Sequence, residues 1–246
     1  MRNVWYLTQR ELMASFFSPV AYVVGVVFLA LTGLYFMSDT LVPGNEASLR
    51  TLFEGVPHSW NVGMAGVLVV LVPLLTMRTI AEEFSTGTIE TLMTAPVTDA
   101  EVVLGKFLGV LTFYCGLLVA TLFYLILLAL YGEPSAGAIA FAYLGMVLLG
   151  AMYIAVGLFA SACTRHQLLA ALLAVAILVL LTFVVDILAE HLPGTWRAVL
   201  GYINIFRHFS DFSKGIFDTR GVVFFVSGTA FFLFLATKVL ESRRWR

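Results

Sequence analysis

Six stretches of this chain run without a charged residue for long enough to cross a bilayer: Val20 to Ser38, Ser59 to Met77, Phe107 to Gly132, Pro134 to Thr164, Leu168 to Val185 and Gly221 to Thr237. A hydrocarbon core about 30 Å thick takes about 20 apolar residues as a helix. A Lys, Arg or Asp at the centre of such a helix costs roughly 2.5 to 3.5 kcal/mol on insertion scales. Exclusion of charge from all six stretches is what lipid demands and water does not. The composition agrees, at 61% hydrophobic and 12% charged residues over 246 positions, against about a quarter charged in a soluble domain. Stretches such as Leu168 to Leu181 are apolar at almost every position instead of alternating over about ten residues, which selects helices over barrel strands. The expected fold class is therefore all-α integral membrane. One domain over residues 1–246 would hold six transmembrane helices at 19–38, 59–77, 107–131, 138–160, 168–187 and 221–240.

A secretory signal is not expected, because the first apolar stretch begins only near Pro19 and no small-residue cleavage pattern follows it. Cys115 and Cys163 have no metal-ligand spacing and no disulfide framework around them. A formal net charge of −1 and the lack of a basic patch give no reason to expect a nucleic-acid partner. The bilayer is the partner that composition supports.

An even number of spans puts both termini on one side, and Lys and Arg decide which. The N-terminal segment, the second and fourth loops and the tail hold Arg2, Arg10, Arg78, Lys106, Arg165, Lys238, Arg243, Arg244 and Arg246, nine of the fourteen basic residues. Both termini are therefore expected in the cytoplasm. Residues 2–17, on a helical wheel, gather Trp5, Leu12, Phe16, Tyr6, Met13 and Phe17 into an arc of about 140°, with Arg10, Glu11, Asn3 and Ser15 outside it. This pattern fits an interfacial helix with Trp5 at headgroup depth and Pro19 marking the turn into the first span. A frayed tail is the alternative.

The loop from Arg78 to Lys106 is the one cytoplasmic segment with a dense charge pattern. Ser85 or Thr86 is placed to cap a short helix carrying Ile89, Leu92 and Met93 on one face, stopped by Pro96. Thr98 or Asp99 is placed to cap the third span. A soluble partner can seat such a knob in a groove; a merely solvated loop is the plain alternative. On the outer side, residues 188–220 are too apolar for a solvated connection, with Phe206, Phe209 and Phe212 around Asp211. A re-entrant or interfacial hairpin is expected there, with Ser210 or Asp211 capping a short helix that ends at Gly215 and Asp218 or Thr219 capping the last span. It would be an outer gate, a docking surface or a structural lid. Gly105 and Gly109 form a GxxxG, and Gly145, Gly150 and Gly157 line the fourth span, a pattern of close helix packing. No phosphate-binding loop, no H-E-x-x-H and no histidine pair at ligand spacing occurs among His58, His166, His191 and His208. The expectation is a chain with no catalytic, cofactor or metal residues of its own.

Leu74-Leu75-Thr76-Met77-Arg78, Ala81-Glu82-Glu83, Gly87-Thr88-Ile89-Glu90, Leu92, Ala95-Pro96-Val97 and Leu104-Gly105-Lys106-Phe107 resemble the signature stretch of ABC-2 exporter permeases. Arg10-Glu11-Leu12 through Ser18-Pro19-Val20-Ala21-Tyr22-Val23, His208-Phe209-Ser210-Asp211-Phe212-Ser213-Lys214-Gly215 and Leu240-Glu241-Ser242-Arg243-Arg244-Trp245 resemble the gliding-motility (GldF-like) branch of that family. The resemblance implies an elbow helix including Trp5, Leu12 and Phe16, six spans, and a coupling helix that docks on a separate ATPase. Carried over, Glu82, Glu83, Gly87, Thr88, Glu90, Thr91 and Leu92 form or support the ATPase contact, and Arg78 and Lys106 border it. ATP and Mg would sit on the ATPase, a second permease subunit, identical or related, would pair with this one, and a periplasmic or membrane-anchored accessory protein would complete the assembly. The implied location is the bacterial inner membrane. The rival readings are a self-contained secondary transporter, with Pro73 as the one break in a span, and a membrane-embedded lipid-modifying enzyme, which would need a convergent polar cluster.

Overall fold

A computed structural model describes residues 2–40, 50–55, 62–87, 97–131, 136–191, 193 and 195–244. The described residues contain helices and no strand. Helix α1 (Arg2–Phe17) leads through Ser18 into α2 (Pro19–Tyr35), with Pro19 in the first turn, where its missing N–H is not needed. A π-helical turn, Phe36–Thr40, follows. Next come α3 (Arg50–Glu54), α4 (Gly63–Thr76), α5 (Ala81–Thr86), α6 (Asp99–Tyr131) and α7 (Ala136–Cys163). Helix α8 (Gln167–Val179) passes through a second π-helical turn, Leu180–Val184, into α9 (Val185–His191). Two short helices, α10 (Thr195–Ile203) and α11 (Ile205–Ser213), precede the last long one, α12 (Thr219–Arg244).

Six of these segments are long and apolar enough to cross a membrane: Pro19–Ser38, Gly63–Thr86, Asp99–Leu128, Gly137–Cys163, Gln167–Ala189 and Thr219–Arg243. The all-helical, six-span expectation holds. Large apolar side chains lie open on the outward faces, including Tyr22 and Val26 on the first span, Leu168, Leu172 and Leu180 on the fifth, and Phe231 and Phe234 on the sixth. Water would not tolerate so much exposed hydrocarbon, whereas lipid does.

Lipid tails are as apolar as leucine, so helices in a bilayer associate through close packing and interhelical hydrogen bonds. The fourth span, α7, is built for this. Its Gly145 lies against Phe212 of α11, its Gly150 against the Tyr114 ring of α6 and its Gly157 against Thr76 of α4, each too close to admit a Cβ. Tyr114 Oη donates to the Met146 carbonyl at 2.8 Å, so the aromatic seated on Gly150 is also hydrogen-bonded to the same helix. The second span is the most enclosed and the last the least. Tyr153 of α7 and Thr182, which sits in the π-helical turn of the fifth span, share a buried hydrogen bond at 3.1 Å.

At the end of the bundle opposite the termini, α10 and α11 stand where a hairpin is expected but pack apart, α10 on α9 and α11 on α7 and α3. The capping also differs from the expectation. Asn204 starts α11 by accepting from Arg207 N at 3.0 Å, so Ser210 and Asp211 lie inside that helix and do not cap it. Asn204 is a better N-cap in place because its amide also donates to Asp186 at the end of the fifth span. The stop at Gly215 holds, with φ +78°, and the Asp211 carbonyl accepts from Ile216 N across it. Asp218 receives Arg220 N at 2.9 Å and so caps the last span. Phe209 and Phe212 are fully buried, while Phe206 is half-buried with its ring 5.6 Å from Phe183.

The glycine seats give a paired prediction. Gly150→Ala pushes a methyl into Tyr114 and is expected to destabilise the protein by about 1–3 kcal/mol. Gly116→Ala on α6 meets open space and is expected to be neutral or stabilising by up to ~1 kcal/mol. Thermal unfolding in detergent separates the two; losses of equal size would contradict the packing role of Gly150.

Candidate functional site

The end that holds both termini is organised around the break in the second span. Proline at position 73 has no N–H to give the preceding turn, and regular helix stops at Thr76. Met77 to Ile80 form a turn, and α5 then restarts the helix. A helix that begins in a buried place has amides with no partner. Here Ser161 of the fourth span supplies one: its hydroxyl accepts from Ile80 N at 3.2 Å and Ala81 N at 3.0 Å and donates to the Met77 carbonyl at 3.2 Å.

Lys106, in the second turn of the third span, points into this break. It donates to the Thr79 carbonyl and pairs with Glu83 of α5 at 2.9 Å and with Glu11 of α1 at 3.4 Å. Its side chain is only 5% exposed. Arg10 of α1 reaches the same Glu83 oxygen, Oε1, at 3.0 Å. Both cations therefore use one oxygen, and Oε2 is buried with no partner among the described residues. Four segments meet at this cluster: α1, the 77–80 turn, α5 and the start of α6.

Helix α1 approaches closely because of the GxxxG. Gly105 faces Leu7, whose Cβ lies 2.5 Å from where a Cβ on the glycine would stand, and Gly109 faces the Glu11 Cβ at 2.6 Å. Val4, Leu7, Thr8 and Glu11 thus form the bundle side of α1, while Trp5, Tyr6, Met13, Phe16 and Phe17 are exposed on the other. Leu12 is half-buried. The edge of Phe16 meets the Phe113 ring at 5.5 Å. An apolar face turned away from the protein, with Glu11 on the side turned towards it, is the reverse of a water-soluble helix.

Arg78 and Glu82 form a second, shallower pair. The guanidinium holds both carboxylate oxygens, at 2.8 and 2.9 Å, and Nη1 donates to Ser18 Oγ at 3.2 Å, tying α5 to the α1–α2 turn. About a third of each side chain is exposed, so this pair contributes in the range of about 0.2–1 kcal/mol. Behind it, Phe84 packs on Val102, Val103, Ala236 and Leu240 together with Leu7, and Arg243 of the last span lies over its ring at 4.7 Å.

Of the site residues named from sequence, Arg78, Glu82, Glu83 and Lys106 are brought together, and Gly87 follows directly. Lys106 departs from its expected place at an interface border, being enclosed by Glu11, Glu83 and a carbonyl instead. Ser85 and Thr86 belong to the last turn of α5. Their hydroxyls donate back to the Glu82 carbonyl at 2.9 and 2.8 Å, and Gly87 closes α5 in the left-handed region at φ +73°. Thr88, Glu90, Thr91 and Leu92, with the rest of the expected coupling helix, lie outside the described residues. At the other side of that loop, Thr98 and Glu101 form a reciprocal capping box, Thr98 N donating to Glu101 at 3.0 Å and Glu101 N to Thr98 Oγ1 at 3.3 Å. Arg10, Glu11, Thr79 and Ser161 belong to the cluster without having been singled out. The available signal was Lys106, the one basic residue between Arg78 and Arg165, which needs acids from elsewhere in the chain.

The sequence model of the family described as "ABC-2 family transporter protein" matches residues 5–239. The chain is also 31% identical over 163 residues to the "Probable multidrug ABC transporter permease YbhR" of Escherichia coli K12, a match covering 63% of this chain and 42% of the relative. The protein of the same name from Escherichia coli O157:H7 matches equally. The chain thus spans about two fifths of the length of these relatives.

Removing one partner of a buried ion pair leaves an uncompensated charge. Lys106→Met is expected to cost about 3 kcal/mol, with Lys106→Met/Glu83→Gln recovering a good part of it, while Arg78→Met costs less than about 1 kcal/mol. A thiol-reactive dye reporting the half-buried Cys115 and Cys163 during heating reads all three. A Lys106 variant as stable as the Arg78 variant would contradict the clamp.

Proposed function

The chain belongs to the ABC-2 family of transporter proteins, and from that premise we propose that it is the membrane subunit through which a separate ATP-binding-cassette ATPase drives export or transmits force across the bacterial inner membrane. The observation that carries this reading is the mounting of α5. The segment leading into the 88–96 loop is fixed to α1, the third span and the fourth span by Glu83, Lys106 and Ser161. A load applied to that loop is therefore shared at once by three other parts of the bundle. Lever arms in water need only be solvated; this one is anchored at a cost in buried charge, which a passive loop would not require.

In this reading residues 88–96, with Glu90 and Leu92, meet the ATPase, ATP and Mg are held there, and both termini face the cytoplasm. Glu82, Glu83 and Gly87 support that contact, and Arg78 and Lys106 hold its base. The outward apolar face of α1, with Trp5 and Phe16, lies in the membrane interface as an elbow. A second permease subunit completes the assembly. The start and end of the sequence support placement in the gliding-motility branch, a sequence group and not a behaviour. The name of the Escherichia coli relatives, a probable multidrug permease, supports export of drugs as the cargo. The outer helices α10 and α11, the second of them held by Phe209 and Phe212, would be the outer part that moves or docks an accessory protein.

Glu90→Lys/Leu92→Glu is the direct test, made in membranes co-expressing the ATP-binding-cassette ATPase encoded nearest to this chain. The expected result is loss of ATPase co-purification, by at least about tenfold if an apolar anchor and a charge contact are both removed, with membrane insertion unchanged. Undiminished co-purification would overturn the coupling role of the loop.

A further inference from the structure

A second concave site lies at the same end, between the fourth–fifth turn and the last span. The turn between the fourth and fifth spans and the last turns of α12 enclose a cavity of about 690 Å³ walled by Arg165, His166 and Arg243, with Thr164, Ser242 and Val239 between them. No carboxylate is among its lining residues as far as the described residues go. The charge clamp makes no use of this cavity.

Two features give the site a preference. The first is its charge. Arg243 is set in the wall by its hydrogen bond to the Cys163 carbonyl and by the Phe84 ring, so its position is fixed before anything binds. Arg165 and His166 are exposed at the rim. Among the described residues at this end, Glu241 pairs with Lys238 at 2.7 Å, Glu82 with Arg78, and Glu83 and Glu11 with Lys106. A concave surface lined by cations concentrates anionic ligands, and guanidinium groups match phosphate geometry.

The second feature is what continues from the cavity. Leu168 and Leu169, two residues beyond the rim, are 70% and 51% exposed, and Phe231 and Phe234 are open on α12 below Val239. A soluble phosphate would leave these faces unused. A phosphate carried on acyl chains would cover them while its headgroup sits between the arginines. Basic pockets between helices at a membrane surface bind anionic headgroups in this way.

We propose that this cavity binds the phosphate of an anionic phospholipid, with Arg165, His166 and Arg243 facing the headgroup and the acyl chains lying along the fifth and sixth spans. The lipid would brace the last span, the least enclosed of the six, against the turn that follows the fourth. The site is independent of whether an ATPase docks on the 88–96 loop.

Native mass spectrometry of the detergent-purified full chain, titrated with phosphatidylglycerol, phosphatidylcholine or inorganic phosphate, tests the proposal. Phosphatidylglycerol is expected to bind more tightly than phosphatidylcholine, and Arg165→Gln and Arg165→Gln/Arg243→Gln to weaken it by about fivefold per charge removed. Lys238→Gln, a paired basic residue outside the cavity, serves as control and is expected to leave the affinity unchanged. Equal binding of the two lipids, equal loss in the Lys238 control, or saturation by inorganic phosphate without competition from phosphatidylglycerol would each overturn it. So would variants that keep their lipid affinity but lose the ATPase on pull-down, which would make this face a protein contact. Far-ultraviolet circular dichroism confirms that each variant is folded.

Discussion

A single ammonium group, that of Lys106, holds the terminal end of this protein together. It sits where the second span has broken, in a place with little water, and it is compensated by two carboxylates and a backbone carbonyl drawn from three other segments. A buried ion in such surroundings is tolerable only while its partners stay in place. The position of Glu11 therefore fixes α1, that of Glu83 fixes α5, and that of Thr79 fixes the turn between α4 and α5. The glycines at 105 and 109 make the arrangement possible by letting α1 approach the third span closely enough for Glu11 to reach.

The spans are held by a different currency. Within lipid there is no hydrophobic drive to bring one apolar helix to another, and the fourth span gathers its neighbours by offering glycines as seats for Tyr114, Thr76 and Phe212. Hydroxyl pairs such as Tyr153 with Thr182 add direction. Stiff packing of this kind suits a device that must move as blocks, because a densely packed interface either holds or shifts to another arrangement and does not deform smoothly. The charge clamp delimits one such block: α1, α5, the start of the third span and the end of the fourth are joined through polar contacts that no apolar sliding would preserve.

Much of the fold was legible in the sequence because the bilayer leaves so few options. Absence of charge over some twenty residues announced six membrane-crossing helices, and the glycine spacings in the third and fourth spans announced close approach without naming what would approach. The inverted face of α1 was visible on a wheel. What could not be read was pairing at a distance. Glu11 and Lys106 are 95 positions apart, and nothing local in either segment selects the other; only the folded bundle brings them together. The same holds for Ser161, an unremarked hydroxyl in an apolar helix until it caps a helix start eighty positions earlier. The cap of α11 went to Asn204 over Ser210 or Asp211 because Asn204 alone can satisfy a helix amide and Asp186 together. A propensity rule sees three good caps and cannot weigh a tertiary partner.

The central claim is that α1 and the start of the third span travel as one body when the assembly works. Spin labels at Gln9 and Leu104, both exposed on those two helices, in a chain with Cys115 and Cys163 replaced by serine, read their separation by pulsed electron resonance in the complex with its ATPase. The account predicts one narrow distance distribution, the same with and without ATP. A shifted or second population on adding ATP would show the clamp opening during the cycle and would contradict it.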